Sequence, residues 1–324
     1  MKFKDWLRVF RAQTAPATWC LILTPYLHAA KLDLVAFAIW AFSIIAHYFS
    51  FGHNSLLDTA MGYDLKDPNK KHHPLVCGRI SLHTAHNVIH WGLGILAVLA
   101  ILISVCVSPK PMIALITIFI WFAFGHCYND GLSKESPLGF LAISICFTAM
   151  GAWGWFLSHD YIDIIGVLWL IYVFLTILFQ ISYSGFLKEI TVEERSNILR
   201  MMGARVEDGI FIPGNARYYG LLVKGLNVAV GLMLGYALTA KLEMALWLGV
   251  TALIMIELAD ELTKERRYDR SRDLITMSIM EIATIFMPIP IMCGWVKGAI
   301  LMLSGVGYFF LMNAILWERT YPRV

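Results

Sequence analysis

The sequence predicts an all-α fold, a polytopic membrane helix bundle of nine or ten transmembrane helices. Three observations carry that prediction. Of the 324 residues, 58% are hydrophobic and only 15% charged, where an ordinary soluble domain has about 25% charged residues; mean hydropathy is +0.65. The apolar residues gather into runs of the length a bilayer demands, roughly 17–25 residues each. The basic residues, finally, fall on alternate sides of those runs, as membrane topology requires.

Taken in order, the runs lie near 14–31, 33–53, 83–107, 111–129, 138–158, 161–184, 217–239, 242–261, 274–293 and 296–317. The entry segment Met1–Arg11 is amphipathic and lacks the small-residue cleavage pattern of a removed signal peptide. Short connections between most runs make neighbouring helices antiparallel. Near the end, Pro288, Pro290 and Gly294 allow one broken helix and one re-entrant piece in place of the last two spans, since prolines persist in a span where neighbouring helices satisfy the freed backbone. With the N-terminus placed inside, 21 of the 26 lysines and arginines fall in inside segments. Only Lys31, Lys110, Lys241 and Lys297 lie outside, and Lys224 sits within a run. The expectation is an integral cell-membrane protein, a single domain over 1–324, with the N-terminus and the polar segments 54–82 and 185–216 cytoplasmic, capping one mouth. The six cysteines are scattered with no C-x-x-C pair, so neither a zinc site nor a disulfide framework is indicated. No nucleic-acid partner is expected, membrane lipid is, and oligomeric state stays open.

The chemistry concentrates in the stretch after the second run. Asn54 and Asp58 are four apart and share a helix face; Gly62 lets the backbone leave the helix, so Asp64 and Asp67 can curl back toward that face. Lys66, Lys70 and Lys71 follow. Carboxylates at the edge of an apolar span are costly without a use. Oxygen ligands of this kind suit Mg2+, which takes one or two carboxylates together with water and substrate phosphates, and the lysines match residual phosphate charge. A capped, solvated loop is the plainer reading of the same spacing. Elsewhere the 260–273 segment reads as a lipid-facing basic cap. Glu281 and Lys224 are site candidates because they carry charge inside a span, or else a structural pair. Tyr48, Phe51, Tyr128 and Tyr183 are aromatics near the polar mouth, whose ring faces offer π-density to a cation.

Asn54-x-x-x-Asp58-x-x-x-Gly62-x-Asp64, followed by His73-Pro-Leu-Val-Cys-Gly-Arg79-Ile-Ser, resembles the first signature of the UbiA superfamily of intramembrane prenyltransferases. The Gly-x-Asp ending is most similar to the branch that prenylates dihydroxynaphthoate. The entry Trp6-Leu-Arg-Val-Phe-Arg11 and the Tyr128-Asn-Asp130-Gly-Leu-Ser-Lys134 stretch are similar to further family segments. The second signature, an Asp-x-x-x-Asp-like pair in the family, is altered here to Glu189 and Glu193, with Glu194-Arg195 following.

The resemblance implies a UbiA-like bundle and a site on both polar segments. Mg2+ would be held by Asp58 and Asp64, with Glu189 and Glu193; Asn54, Asp58 and Asp64 would carry the catalysis. A polyprenyl diphosphate would be bound by Arg11, Lys70, Lys71, Arg79, Tyr128, Lys134, Lys188 and Arg195, and its prenyl group passed to a lipophilic aromatic or quinoid acceptor. The same residues also fit a UbiA-type terpene cyclase, in which the cation closes on its own chain. A third possibility is a non-catalytic transporter or lipid-binding protein with a degenerate site.

Overall fold

The computed structural model describes residues 3–132, 136, 138–188, 197–206, 209–238, 241–267 and 269–317. The chain begins with a short helix, α1 (Phe3–Val9), and a left-handed kink at Arg11 that leads into α2 (Ala15–Ala29). The long helices follow: α3 (Leu34–Ala60), α4 (Leu82–Val107), α5 (Pro111–Cys127), α6 (Gly139–Phe156), α7 (Ile164–Lys188), α8 (Gly214–Ala237), α9 (Leu242–Thr263) and α10 (Arg270–Phe286). A short α11 (Ile289–Cys293) and a final α12 (Trp295–Trp317) complete the bundle. Among the described residues the only strands are Arg205–Val206 and Ile210–Phe211, an antiparallel pair in the segment between α7 and α8.

Among the described residues nine helices are long and apolar enough to cross a membrane. The remaining run became α2, 15 residues and so roughly 22 Å long. It can be short because it faces protein rather than lipid. Trp19, Ile22 and Leu27 are buried, and α2 packs against α3, α6, α11 and α12. Each long helix packs on its sequence neighbour, and α12 returns to α2, closing a ring around it. The α2–α6 approach requires glycine: a Cβ on Gly154 would stand 2.2 Å from the Ile22 carbonyl oxygen.

Two expectations are refined. The helix of the second run continues past 53 to Ala60, so Asn54 and Asp58 stand on its last turns, on the helix that their spacing predicts. The proline-rich run is a broken span, since α10 ends at Phe286, α11 resumes after Pro288, and Gly294 at φ 77° turns the chain into a full-length α12.

Candidate active site

A cavity of about 830 Å³ opens at the end of α3 and runs down between the two halves of the bundle. Its rim is built by local chain reversals. Thr59 Oγ1 donates back to Ser55 O at 2.9 Å as α3 ends. Gly62, at φ 84°, takes the left-handed conformation that only glycine adopts at little cost. One helical turn, Tyr63–Lys66, then aims Asp64 inward. Asp67 caps the following turn by accepting from the Asn69 backbone N–H at 2.9 Å, and that turn sets the Lys70 ammonium on Asp64 Oδ1 at 2.5 Å. Asp58 and Asp64 are each only 2% exposed, yet both line the cavity.

Arg11 reaches the same rim from the opposite side. Its guanidinium donates to Asn54 Oδ1 at 3.1 Å and lies 4.0 Å from Asp58 Oδ2. Among the described residues it is the one non-glycine at positive φ, 48°. Such strain persists only where surrounding contacts hold it. Here the Arg11 carbonyl accepts from Thr14 Oγ1 at 2.9 Å and lies 3.2 Å from the ring Nε2 of buried His47. Asn54 is fixed from its other end, donating to Asn129 Oδ1 at 3.0 Å, and the Asn129 amide nitrogen lies 3.2 Å from His53 Nδ1.

Arg11, Asn54, Asp58, Asp64, Lys70 and Tyr128 therefore converge on one space. Lys71 and Arg79 do not. Lys71 is exposed outside the cavity lining. Arg79 is turned away by Asp5, to which its Nε donates at 3.0 Å, and by the His72 carbonyl at 2.8 Å. Lys134, Glu189, Glu193 and Arg195, like the Lys188 side chain, lie outside the described residues. Of the aromatics, Phe51 and Tyr128 line the cavity. Tyr183 instead donates to the Ala216 carbonyl at 2.6 Å, and Tyr48 pairs with Tyr308.

Sequence reasoning missed Asn129 and His73. The Tyr128-Asn129-Asp130 string was visible, but nothing in it marks the asparagine as the one that turns inward. His73 lines the cavity; burial, then the nearby charges of Lys70, Arg11 and Arg79, push its pKa down to about 3, so the ring is neutral at physiological pH.

The rim fits a hard divalent cation. Asp64 Oδ2 is buried with no hydrogen-bond partner among the described residues, the state of a ligand oxygen held for an ion. Among those residues no three His, Cys, Asp or Glu side chains gather to cage a metal. That is compatible with an ion completed by substrate phosphates and water.

An acid-and-base-rimmed cavity inside a bundle of apolar spans marks an integral membrane protein. The family follows from the chain itself: residues 14–285 match the model of the UbiA prenyltransferase family, and the chain belongs to it and is a prenyltransferase. No curated relative matches. The fold is similar to that of a digeranylgeranylglyceryl phosphate synthase (17% identity, 88% of this chain and 98% of that one, TM-score 0.60). It is also similar to a UbiA homolog from Aeropyrum pernix K1 (15%, 90% and 96%, TM-score 0.60). A UbiA homolog from Archaeoglobus fulgidus, bound to GPP and Mg2+, matches at 15% identity over 89% and 99% with a TM-score of 0.57.

Proposed function

We propose that this protein transfers the prenyl group of a polyprenyl diphosphate to a lipophilic aromatic or quinoid acceptor, with Mg2+ at a cytoplasmic rim. The reading treats 1–324 as one membrane domain whose segments 54–82 and 185–216 cap the mouth. The observation that carries it is the convergence of two buried aspartates, Asp58 and Asp64, with Arg11 and Lys70 at the opening of a mostly apolar cavity. The Mg2+- and GPP-bound homolog supports the choice of ion and of substrate headgroup.

Asp58 and Asp64 would hold the ion, joined by Glu189 and Glu193 from the other segment. Mg2+, when bound, supplies Lewis-acid stabilisation of the charge on the departing diphosphate. Arg11 and Lys70 donate to the diphosphate oxygens and stabilise the same charge as it develops; Lys134, from the stretch before α6, and Lys188 and Arg195, from the second polar segment, remain the other cations expected there, whereas Lys71 and Arg79 leave the set. Asn54, clamped between Arg11 and Asn129, orients the headgroup. The allylic C–O bond breaks with its electron pair on pyrophosphate, and the rings of Phe51 and Tyr128 face the cation. Leu93, Trp121, Phe122 and Met150 line the deeper wall and keep water from quenching it.

The test is Asp58→Ala and Asp64→Ala in purified protein, following Mg2+-dependent release of pyrophosphate and formation of prenylated product. Both variants lose both signals on this reading. Full activity in both removes the aspartate rim from the mechanism, and a cyclised hydrocarbon formed from diphosphate and Mg2+ alone would favour the cyclase instead.

A further inference from the structure

The diphosphate chemistry leaves a second set of polar groups unused, on the wall formed by α7 and α10. One face of α10 lines the cavity, with Met277, Ser278, Glu281 and Ile285 on it. Glu281 is eleven residues past Arg270, roughly 16 Å along the helix axis. By the alternation of spans, α10 starts on the same side of the bundle as Asp58, so Glu281 lies well below the rim. Lys224 of α8 stands behind it, 2% exposed. Its Nζ donates to Thr284 Oγ1 at 3.2 Å and lies 4.6 Å from the Phe179 ring centre, and Thr284 is three residues past Glu281 on α10. A purely structural ion pair hides both partners. Here the cation is sealed behind the wall and the carboxylate lines the open space.

The neighbouring polar groups share that arrangement. Gln180 and Thr176 of α7 line the cavity beside Glu281, and Thr176 is anchored from behind by Asn227, whose amide donates to Thr176 Oγ1 at 3.1 Å and to Tyr172 O at 3.0 Å. The surroundings are apolar, Ile177, Ile181, Ile282 and Phe286 among them. A ligand seated here is therefore lipophilic, with a polar group opposite a carboxylate. An ionised carboxylate only accepts hydrogen bonds, and a second carboxylate beside it in low dielectric would be repelled. The complementary group is a neutral hydroxyl.

We infer that Glu281 binds the acceptor's hydroxyl and takes its proton, and so selects an acceptor of the neutral hydroquinone class; the inference rests on the prenyl-transfer reading above. The hydroxyl proton passes to the Glu281 carboxylate, and the oxygen's negative charge spreads onto the ring carbon that attacks C1 of the prenyl chain. The C–O bond to diphosphate breaks with its electron pair leaving on pyrophosphate, and the ring carbon closes a C–C bond onto the C1 cation. The ring proton displaced at that carbon returns to the oxygen, so one proton, the one on Glu281, is released per turnover. Lys224, bonded to Thr284 behind the same stretch of α10, acts as a positioning residue for Glu281.

The experiment uses the full chain in lipid nanodiscs with Mg2+, geranylgeranyl diphosphate and naphthohydroquinone as the acceptor probe. Glu281→Gln should bind the diphosphate with wild-type affinity while kcat for the probe falls about 100-fold or more. Its residual rate should climb with pH as the probe, a phenol of pKa near 10 like tyrosine, ionises unaided, and Glu281→Asp should recover part of the loss. If the single variant fails to fold, the double variant Glu281→Gln/Lys224→Met removes both charges and should fold, bind diphosphate and lack the same rate. A Glu281→Gln protein with wild-type kcat and pH profile overturns the inference, as does a wild-type protein that binds diphosphate yet leaves the probe unalkylated. A wild-type protein that binds no diphosphate in Mg2+ brings down the prenyl-transfer reading itself, and this inference with it.

Discussion

The rim and the floor of the cavity hold charge in opposite ways. At the rim the carboxylates are buried and the cations reach in from the edge. Asp58 and Asp64 side chains are 3% exposed, while Arg11 and Lys70 are 34% and 28% exposed. At the floor the cation is sealed and the carboxylate lines the space. Rim cations with partial access to water can exchange a protein partner for a diphosphate oxygen at modest cost. A lysine locked behind the wall cannot reach a ligand, so it can only set the state of the group in front of it. The contrast separates groups arranged to meet an arriving anion from groups arranged to fix one resident anion.

The largest expected effect falls on the rim. Asp64→Ala should lower Mg2+-dependent turnover by at least about 100-fold, the scale on which removing a transition-state electrostatic contact acts, measured as pyrophosphate released per minute at saturating substrate. Chelating the divalent ion should have a loss of the same order, and wild-type turnover in its absence would break the comparison at this end. Next comes stability. Lys224→Met removes a fully buried amine and its bond to Thr284 and should lower the denaturation midpoint in detergent by more than Lys70→Met does. Lys70→Met, at a partly exposed pair whose carboxylate is buried, should cost about 1–2 kcal/mol. Equal losses at the two lysines would mean that the rim and floor pairs are the same kind of contact.

Much of this architecture is legible from residues alone, for reasons that are physical. Apolar runs of bilayer length and the sorting of basic residues are imposed by the solvent, so the spans can be read one by one. Asn54, Asp58, Gly62 and Asp64 can be placed because helical spacing and one glycine suffice to do it. What escapes depends on long-range contact. Arg79 is as well placed in sequence as Lys70, and only the fold reveals that Asp5, 74 residues away, takes it. Asn129 comes to Asn54 across 75 residues, and no local pattern reports that. The short α2 looks like any other span until its neighbours are known.

His73 gives a pH-dependent effect, confined to acid conditions. Its folded pKa is about 3 against an ordinary 6.5, so between those values the unfolded chain binds the extra proton. Stability from this group is whole above pH 6.5 and is lost as pH falls toward 3, by up to about 1.4 kcal/mol per pH unit. His73→Gln should flatten the acid side of a melting-temperature profile and leave the region above pH 7 unchanged. An unaltered acid limb would show that His73 is solvated, and that the rim is wetter than its buried aspartates imply.

The smallest expected effect is the most discriminating between two cations. Arg11 and Arg79 both lie near the rim, and spacing offers no reason to prefer either. Arg11 faces Asn54 and Asp58 across the cavity opening, whereas the Arg79 side chain, 41% exposed, closes onto Asp5 and so clasps α1 to the segment before α4. Arg79→Ala should therefore cost about 1–2 kcal/mol of stability through the loss of a partly screened pair and the exposure of a buried carboxylate, with kcat and the KM for diphosphate within about 2-fold of wild type. Arg11→Ala should raise that KM while leaving the melting temperature closer to wild type, because its left-handed backbone is held by its own carbonyl and not by its side chain. A reversed outcome, with diphosphate affinity following Arg79, would mean that the Asp5 clasp opens when substrate arrives and that the rim is assembled by its ligand.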